Sequence, residues 1–415
     1  MYKIEGNHAR RRFSFPFKDL NHKNIAAGTI AAIFIITGPS ALILEAASKG
    51  NFTVFETVLW IFAVYAFGGL FGIILPLYYR IPIVGGHTLT GVAFLATMTT
   101  QFTFHELIGA YIVSGILMLL IGYLGFFSKL MSLVPREIIS AMLAGMITKY
   151  MVSFIISINH LVLVGVISLI AFLVFSKWKL RIPPVIAAIG IGFIVLLLTE
   201  PLISGNWSSG LFIPQIQLPD FNLMSFLSIS IPLALLILSN DVAVAIGALE
   251  QNQYRTPVNR IISLGGFFSI VTSFFGGQSA NIAGMATVIC SDESAGPKEK
   301  RYMGAVVTGV LLLLFGLFAW GLIPFIQTLP KEFISIIVGF SLLGVFGNSL
   351  YQSFSNPTMK ISATFAFIIA LSDITLLSLS APVWSLLIGA FIARTIEYEQ
   401  TKKQGVEEHK KRTVS

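Results

Sequence analysis

Asp241, His87 and two glycine-led polar runs are the residues of this chain with the chemistry to bind or move a charged species. The runs, Gly85-Gly86-His87-Thr88-Leu89-Thr90-Gly91 and Gly276-Gly277-Gln278-Ser279-Ala280-Asn281-Ile282, resemble one another and interrupt otherwise apolar stretches. Glycine lets a backbone turn and approach a ligand, while Thr88, Thr90, Gln278, Ser279 and Asn281 add side-chain donors. If each run opens a helix near the bilayer midplane, its free N–H groups and positive dipole end converge on an anion site that suits a carboxylate. Lone glycine pairs more often permit close helix packing. Duplication, with polar followers in both copies, is what favours a site.

A carboxylate deep in a span costs roughly 2.5 to 3.5 kcal/mol on insertion scales. Asp241 is therefore expected to rest protonated and to trade its proton as the site opens to either side. The structural alternative is a neutral carboxyl bonded to nearby backbone, a role open to Asn240 as well. His87 begins the first run and matches Gln278 in the second, a position equally consistent with substrate binding, a proton path or packing. The expected substrate-binding set is His87, Thr88, Thr90, Gly86, Gln278, Ser279, Asn281, Gly277 and Asn240, with Asp241 for proton coupling. Glu45 beside Lys49 reads as an interfacial pair, and Lys149 as a snorkelling or paired side chain. Thr37-Gly38-Pro39-Ser40 reads as a break in the first span that lines the same cavity, with a simple proline kink an equal explanation.

The elements that must hold these residues are membrane helices. Of the 415 residues, 55% are hydrophobic and 11% charged, against about 25% charged in a soluble domain. Apolar runs such as Leu161 to Phe175 are continuous, unlike the alternating strands of a closed barrel. The first, Ile25 to Ala47, is too long for a cleaved leader and reads as a retained helix. Windows of about 20 residues place about fourteen spans. The third (82–98) and tenth (279–290) are short and polar, as expected of half-helices completed by extended backbone. Cys290 is the lone cysteine, so there is no internal disulfide, and it lacks metal-ligand partners. Without a ligand cluster, a phosphate-binding loop or a nucleophile with its base, no enzymatic activity, cofactor or metal is expected.

Basic residues fall on one side of this layout. Arg10, Arg11, Arg12, Arg80, Lys129, Arg136, Lys177, Lys179, Arg181, Arg255, Arg260, Lys298, Arg301 and Arg394 lie inside with both termini, and only Lys49 and Lys331 lie outside. The net charge of +8 thus reads as an orientation signal rather than a nucleic-acid surface. Leu133-Val134-Pro135-Arg136-Glu137 resembles Leu329-Pro330-Lys331-Glu332, with the prolines displaced by 195 residues and the glycine motifs by 191. Similar offsets at two places indicate a duplicated unit of seven spans, and an odd number inverts the second copy. The expected division is a cytoplasmic tail at 1–23, a first repeat at 24–203, an extracellular loop at 204–222, an inverted second repeat at 223–395 and a cytoplasmic tail at 396–415.

Pro135 followed by Ala141-Met142-Leu143-Ala144-Gly145, Phe275-Gly276 through Asn281-Ile282-Ala283 to Ile289-Cys290, Pro297 with Arg301-Tyr302, and Gly347-Asn348-Ser349-Leu350-Tyr351-Gln352 carry a family likeness over nearly the whole chain. The chain resembles the benzoate/proton symporter (BenE-like) family, within the seven-plus-seven inverted-repeat fold of nucleobase symporters and sulfate-type anion transporters. The resemblance implies an all-α polytopic membrane protein that imports a small organic anion, benzoate or a related aromatic carboxylate, by proton symport. It also implies a core domain from spans 1–4 and 8–11 and a gate domain from spans 5–7 and 12–14. A nucleobase/proton symporter of the same fold and an anion channel are the other readings, since polar half-helices also line selectivity filters. The expected partners are the organic anion, protons and the lipid bilayer of the cell membrane, with no nucleic acid and with a homodimer as the assembly considered.

Overall fold

The computed structural model describes residues 17–127, 135–178, 183–200, 212–321, 328–372, 374, 376 and 381–397. Arg10 to Arg12, Lys129, Lys179, Arg181, the first part of the 204–222 segment and most of both tails lie outside the described residues.

Helix α1 (His22–Lys49) leads into α2 (Val54–Tyr79), the two-residue strand β1 (Gly85–Gly86), the short α3 (Leu89–Met98) and α4 (Phe104–Leu124). After these come α5 (Arg136–His160), α6 (Val162–Trp178) and α7 (Pro184–Thr199). The second half opens with a long helical segment, α8 (Leu223–Gln251), widened by π-helical turns at Phe226–Ser230 and Ile237–Val242. It continues through α9 (Val258–Ser273), β2 (Asn281–Ile282), α10 (Gly284–Ser291), α11 (Tyr302–Leu317), α12 (Lys331–Phe354), α13 (Lys360–Ser372) and α14 (Ala381–Ile392). Among the described residues, seven helical segments are long and apolar enough to cross a membrane.

Reciprocal capping boxes start α1, α2 and α4, pairing Asn21 with Asn24, Thr53 with Glu56 and Thr103 with Glu106. They satisfy N–H groups that have no partner within the helix. Contrary to the expected break at 37–40, α1 runs unbroken through Pro39. Proline withdraws one N–H from the ladder. The Ile35 carbonyl that would have received it accepts instead from the Tyr65 hydroxyl at 3.0 Å, which also meets Ser40 Oγ at 2.7 Å. A side chain of α2 thus supplies the donor that the proline removed.

The helices pack in a reciprocal pattern: α4 lies on α9 and α2 on α11, while α5 meets α12 and β1 meets β2. Trp60, Tyr65, Phe71, Phe94 and Tyr111 are fully buried at the centre. The outer helices are different, for Leu163, Ile170 and Leu173 on α6 and Ile194 and Leu198 on α7 are exposed. Such apolar outer faces suit lipid rather than water. Near the start of α1, Asp19 gathers Arg80 at 3.6 Å and Lys300 at 3.7 Å, and accepts from the Tyr302 hydroxyl at 2.7 Å. This cluster ties the segment before α1 to the end of α2 and the start of α11.

Candidate functional site

The two glycine-led runs come together at the centre of the molecule. Gly85 pairs with Ile282 and Gly86 with Asn281 in an antiparallel register, and the pairing extends through Ala283 N donating to Val84 O at 2.8 Å. Beyond the strands, Thr88 N donates to Ser279 Oγ at 3.3 Å, and Gln278 Nε2 lies 3.1 Å from His87 Nδ1. Both of these contacts join residues 191 apart, the same displacement that relates the runs in sequence. Glycine makes the crossing possible. A Cβ on Gly85 would strike the Gly68 carbonyl oxygen and the Gly72 nitrogen, so β1 rests directly on the backbone of α2.

A short helix starts immediately after each strand. Thr88 caps α3, its Oγ1 accepting from Gly91 N at 3.0 Å. The cap residue of α10, Ala283, has no side chain able to do this. The first N–H of α10, at Gly284, instead approaches the Asp241 carboxyl, and the Thr88 hydroxyl approaches the same group. Asp241 reaches this place from the second π-helical turn of α8, a widened turn of the kind that often marks functional sites. Gly284 allows the approach, because a Cβ there would sit 3.0 Å from the Asn240 carbonyl and 3.1 Å from that of Asp241.

Both helix starts open on one cavity of about 120 Å³, smaller than the roughly 300 Å³ at the low end for drug-sized ligands. His87 and Thr90 reach it from the first run, Asn240 and Asp241 from α8, and Gly284 and Met285 from α10. Pro39 with Phe34 forms the wall from α1, and Asn348, Ser349 and Gln352 the wall from α12. Two side-chain atoms among the lining groups are buried without a partner among the described residues, His87 Nε2 and Asp241 Oδ2. An unpaired buried polar atom is costly, so each of these two calls for a partner that the described residues do not supply.

The sequence-derived set is therefore divided. His87, Thr90, Asn240 and Asp241 line the cavity, and Thr88 stands behind it, bonded to Thr90 Oγ1 at 3.1 Å. Gly86, Gly277, Gln278, Ser279 and Asn281 are buried beside the cavity but are not among its lining residues. The register turns the second run toward α2 and α9. Gln278 Oε1 accepts from Trp60 Nε1 at 2.6 Å, a Cβ on Gly277 would meet Thr272 and Ala63, and Asn281 Nδ2 donates to Ile282 O at 3.0 Å. Glu45 and Lys49 form a 2.8 Å ion pair.

Asn348, Ser349 and Gln352 were not singled out as site residues from the sequence. They had entered only within the family-like run Gly347 to Gln352, and their further signal was three amide or hydroxyl side chains within five positions of an apolar helix. Gln352 Oε1 accepts from Ser140 Oγ at 3.0 Å, linking α12 to α5. A second cavity of about 410 Å³ continues from the first, sharing Asn240, Val244 and Gln352 and reaching Arg136 and Glu137 at the start of α5.

Residues 18–395 match the family model described as benzoate membrane transport protein. The inner membrane protein YdcO of Escherichia coli (strain K12) is 30% identical over 91% of this chain and 96% of its own length. A protein named benzoate membrane transport protein, from Acinetobacter baylyi, is 26% identical over 88% of this chain and 92% of its own length. Among solved structures, the transmembrane domain of the cyanobacterial bicarbonate transporter BicA superposes with a TM-score of 0.60 at 17% identity, over 90% of this chain and 98% of that one. At that identity the likeness concerns the fold.

Proposed function

The chain belongs to the benzoate membrane transport protein family, and on that footing we propose that it is a secondary active transporter importing a small organic anion, benzoate or a related aromatic carboxylate, together with protons. The observation that carries this reading is that His87 and Asp241, whose Nε2 and Oδ2 atoms are buried without a partner among the described residues, both line one cavity where two short helices begin. Helix starts supply partial positive charge and free N–H groups. A protonated Asp241 adds a donor, whereas an ionised one repels an anion. Loss of the proton therefore weakens anion binding, and the two species leave together.

In this reading the chain spans the membrane about fourteen times in two inverted repeats, with α3 and α10 as half-helices. The reciprocal packing of α4 on α9 and α2 on α11 supports it, because a two-fold relation between halves exchanges those contacts. The core domain carries α1, α3, α8 and α10 around the substrate, and α12 of the gate domain closes the remaining wall. Both termini are cytoplasmic, which makes the larger cavity, with Arg136 in its lining, the passage to the cytoplasm. Arg136 there attracts an anion moving through it.

Uptake of labelled benzoate by proteoliposomes tests the proposal. An inward proton gradient should raise the rate and drive accumulation, with saturation and counterflow; equal rates after the gradient is collapsed would end the proton-coupled reading. Thermal shifts with aromatic acids, nucleobases and inorganic anions identify the ligand class, and a response to nucleobases alone would replace the carboxylate.

A further inference from the structure

His87 occupies the cavity wall with one nitrogen bonded and the other without a partner among the described residues, and the bonded one determines what the other can offer. The chain of contacts begins at Trp60, buried in α2. An indole N–H can only donate, so the Gln278 atom 2.6 Å from Trp60 Nε1 is its carbonyl oxygen, whichever way the amide is drawn. The Gln278 NH2 group then faces His87 Nδ1 at 3.1 Å, and an amide NH2 can only donate. Nδ1 must accept. The ring proton is thereby forced onto Nε2, the nitrogen without a partner. The Thr88 backbone also lies against the ring, but an Nδ1–H directed there would set two donors face to face across the 3.1 Å contact with Gln278.

We propose that Trp60 and Gln278 are positioning residues that lock His87 in its Nε2–H form, so that an anion entering the cavity meets a hydrogen-bond donor instead of a lone pair. Gln278 and His87 are the matching members of the two runs, 191 residues apart, and the labour is divided between them, His87 touching the anion and Gln278 setting its proton. The donor role rests on the transport reading above, whereas the lock itself does not. With Asp241 Oδ2 the other partnerless group in the lining, the site offers a carboxylate one fixed donor and one exchangeable proton. A neutral molecule that lacks an acceptor has no use for the first.

Nitrogen NMR of the protein carrying isotope-labelled histidine tests the lock without any substrate. The chain has six histidines, and the His87 signals are identified by their loss in His87→Gln. The expected spectrum has a pyrrole-like Nε2 and a pyridine-like Nδ1. The reverse tautomer, or an imidazolium, overturns the proposal whatever the protein carries. Benzoate should then shift the Nε2 signal, and an Nε2 unmoved by an anion that is transported overturns the donor role. Gln278→Glu replaces the donor facing Nδ1 by an acceptor and should invert the tautomer. Trp60→Phe frees the amide and should give a mixture, keeping the test open if the glutamate variant does not fold. In both variants KM for the anion should rise roughly ten- to a hundredfold with little change in maximal rate. An unchanged tautomer with an unchanged KM in both variants also overturns the lock. Absence of benzoate uptake beside an Nε2–H tautomer in the parent protein would fault the choice of substrate and leave the lock standing.

Discussion

The two glycine-led runs start from similar sequence and end in different roles. The first run sends His87 and Thr90 into the cavity and closes its helix with the Thr88 hydroxyl. The second spends Gln278 and Ser279 on contacts to the first and presents the start of α10, where Gly284 N–H approaches Asp241. One copy thus supplies side chains and the other supplies backbone and support. The pairing geometry explains the division. Two strands crossing antiparallel put their equivalent residues next to each other, so a polar pair at that crossing can satisfy itself internally, and only one member remains free to face a ligand.

The sharpest test falls where both copies meet, at Asp241. Asp241→Asn should abolish gradient-driven accumulation while leaving exchange or binding partly intact, as read by uptake and counterflow in proteoliposomes. Full accumulation by that variant would remove Asp241 from coupling.

Next in size is the contrast between two glycines. Alanine at Gly85 meets backbone atoms of Gly68 and Gly72, which cannot swing aside, whereas at Gly277 it meets mainly the side chains of Thr272, Ala63 and Val64. Overpacking typically costs about 1–3 kcal/mol. Gly85→Ala should lie at or beyond the top of that range and Gly277→Ala near the bottom, judged by thermal unfolding in detergent. Equal losses would mean that the strands can shift on α2.

A smaller contrast separates Thr88 from Ser279. Thr88→Val removes a helix cap, about 0.5–2 kcal/mol, and with it the hydroxyl that approaches Asp241, so both stability and transport should fall. Ser279→Ala removes one hydrogen bond, about 0.5–1.5 kcal/mol, and should lower stability with little effect on KM. If Ser279→Ala raises KM as much as Thr88→Val, the second run touches the substrate after all.

The membrane class, the long first helix and the convergence of both runs were legible in the sequence. Their signals are local, since each apolar window, buried carboxyl or glycine pair carries its own desolvation or conformational cost at its own position. The break expected at Pro39 was misread because the compensating donor, Tyr65, sits on another helix and has no sequence mark tying it to Ile35. Asn348, Ser349 and Gln352 went unselected for a related reason. Polar side chains in an apolar helix show that something is faced, but not what.

The amino-acid order by itself determined which stretches leave water and where charge and backbone freedom are concentrated, because hydropathy and glycine content act residue by residue. Only the folded molecule decided which of two similar glycine-led polar runs sends its side chains to the cavity. That choice follows from the β1–β2 register and from the approach of α8 to Gly284, contacts between segments far apart in the chain.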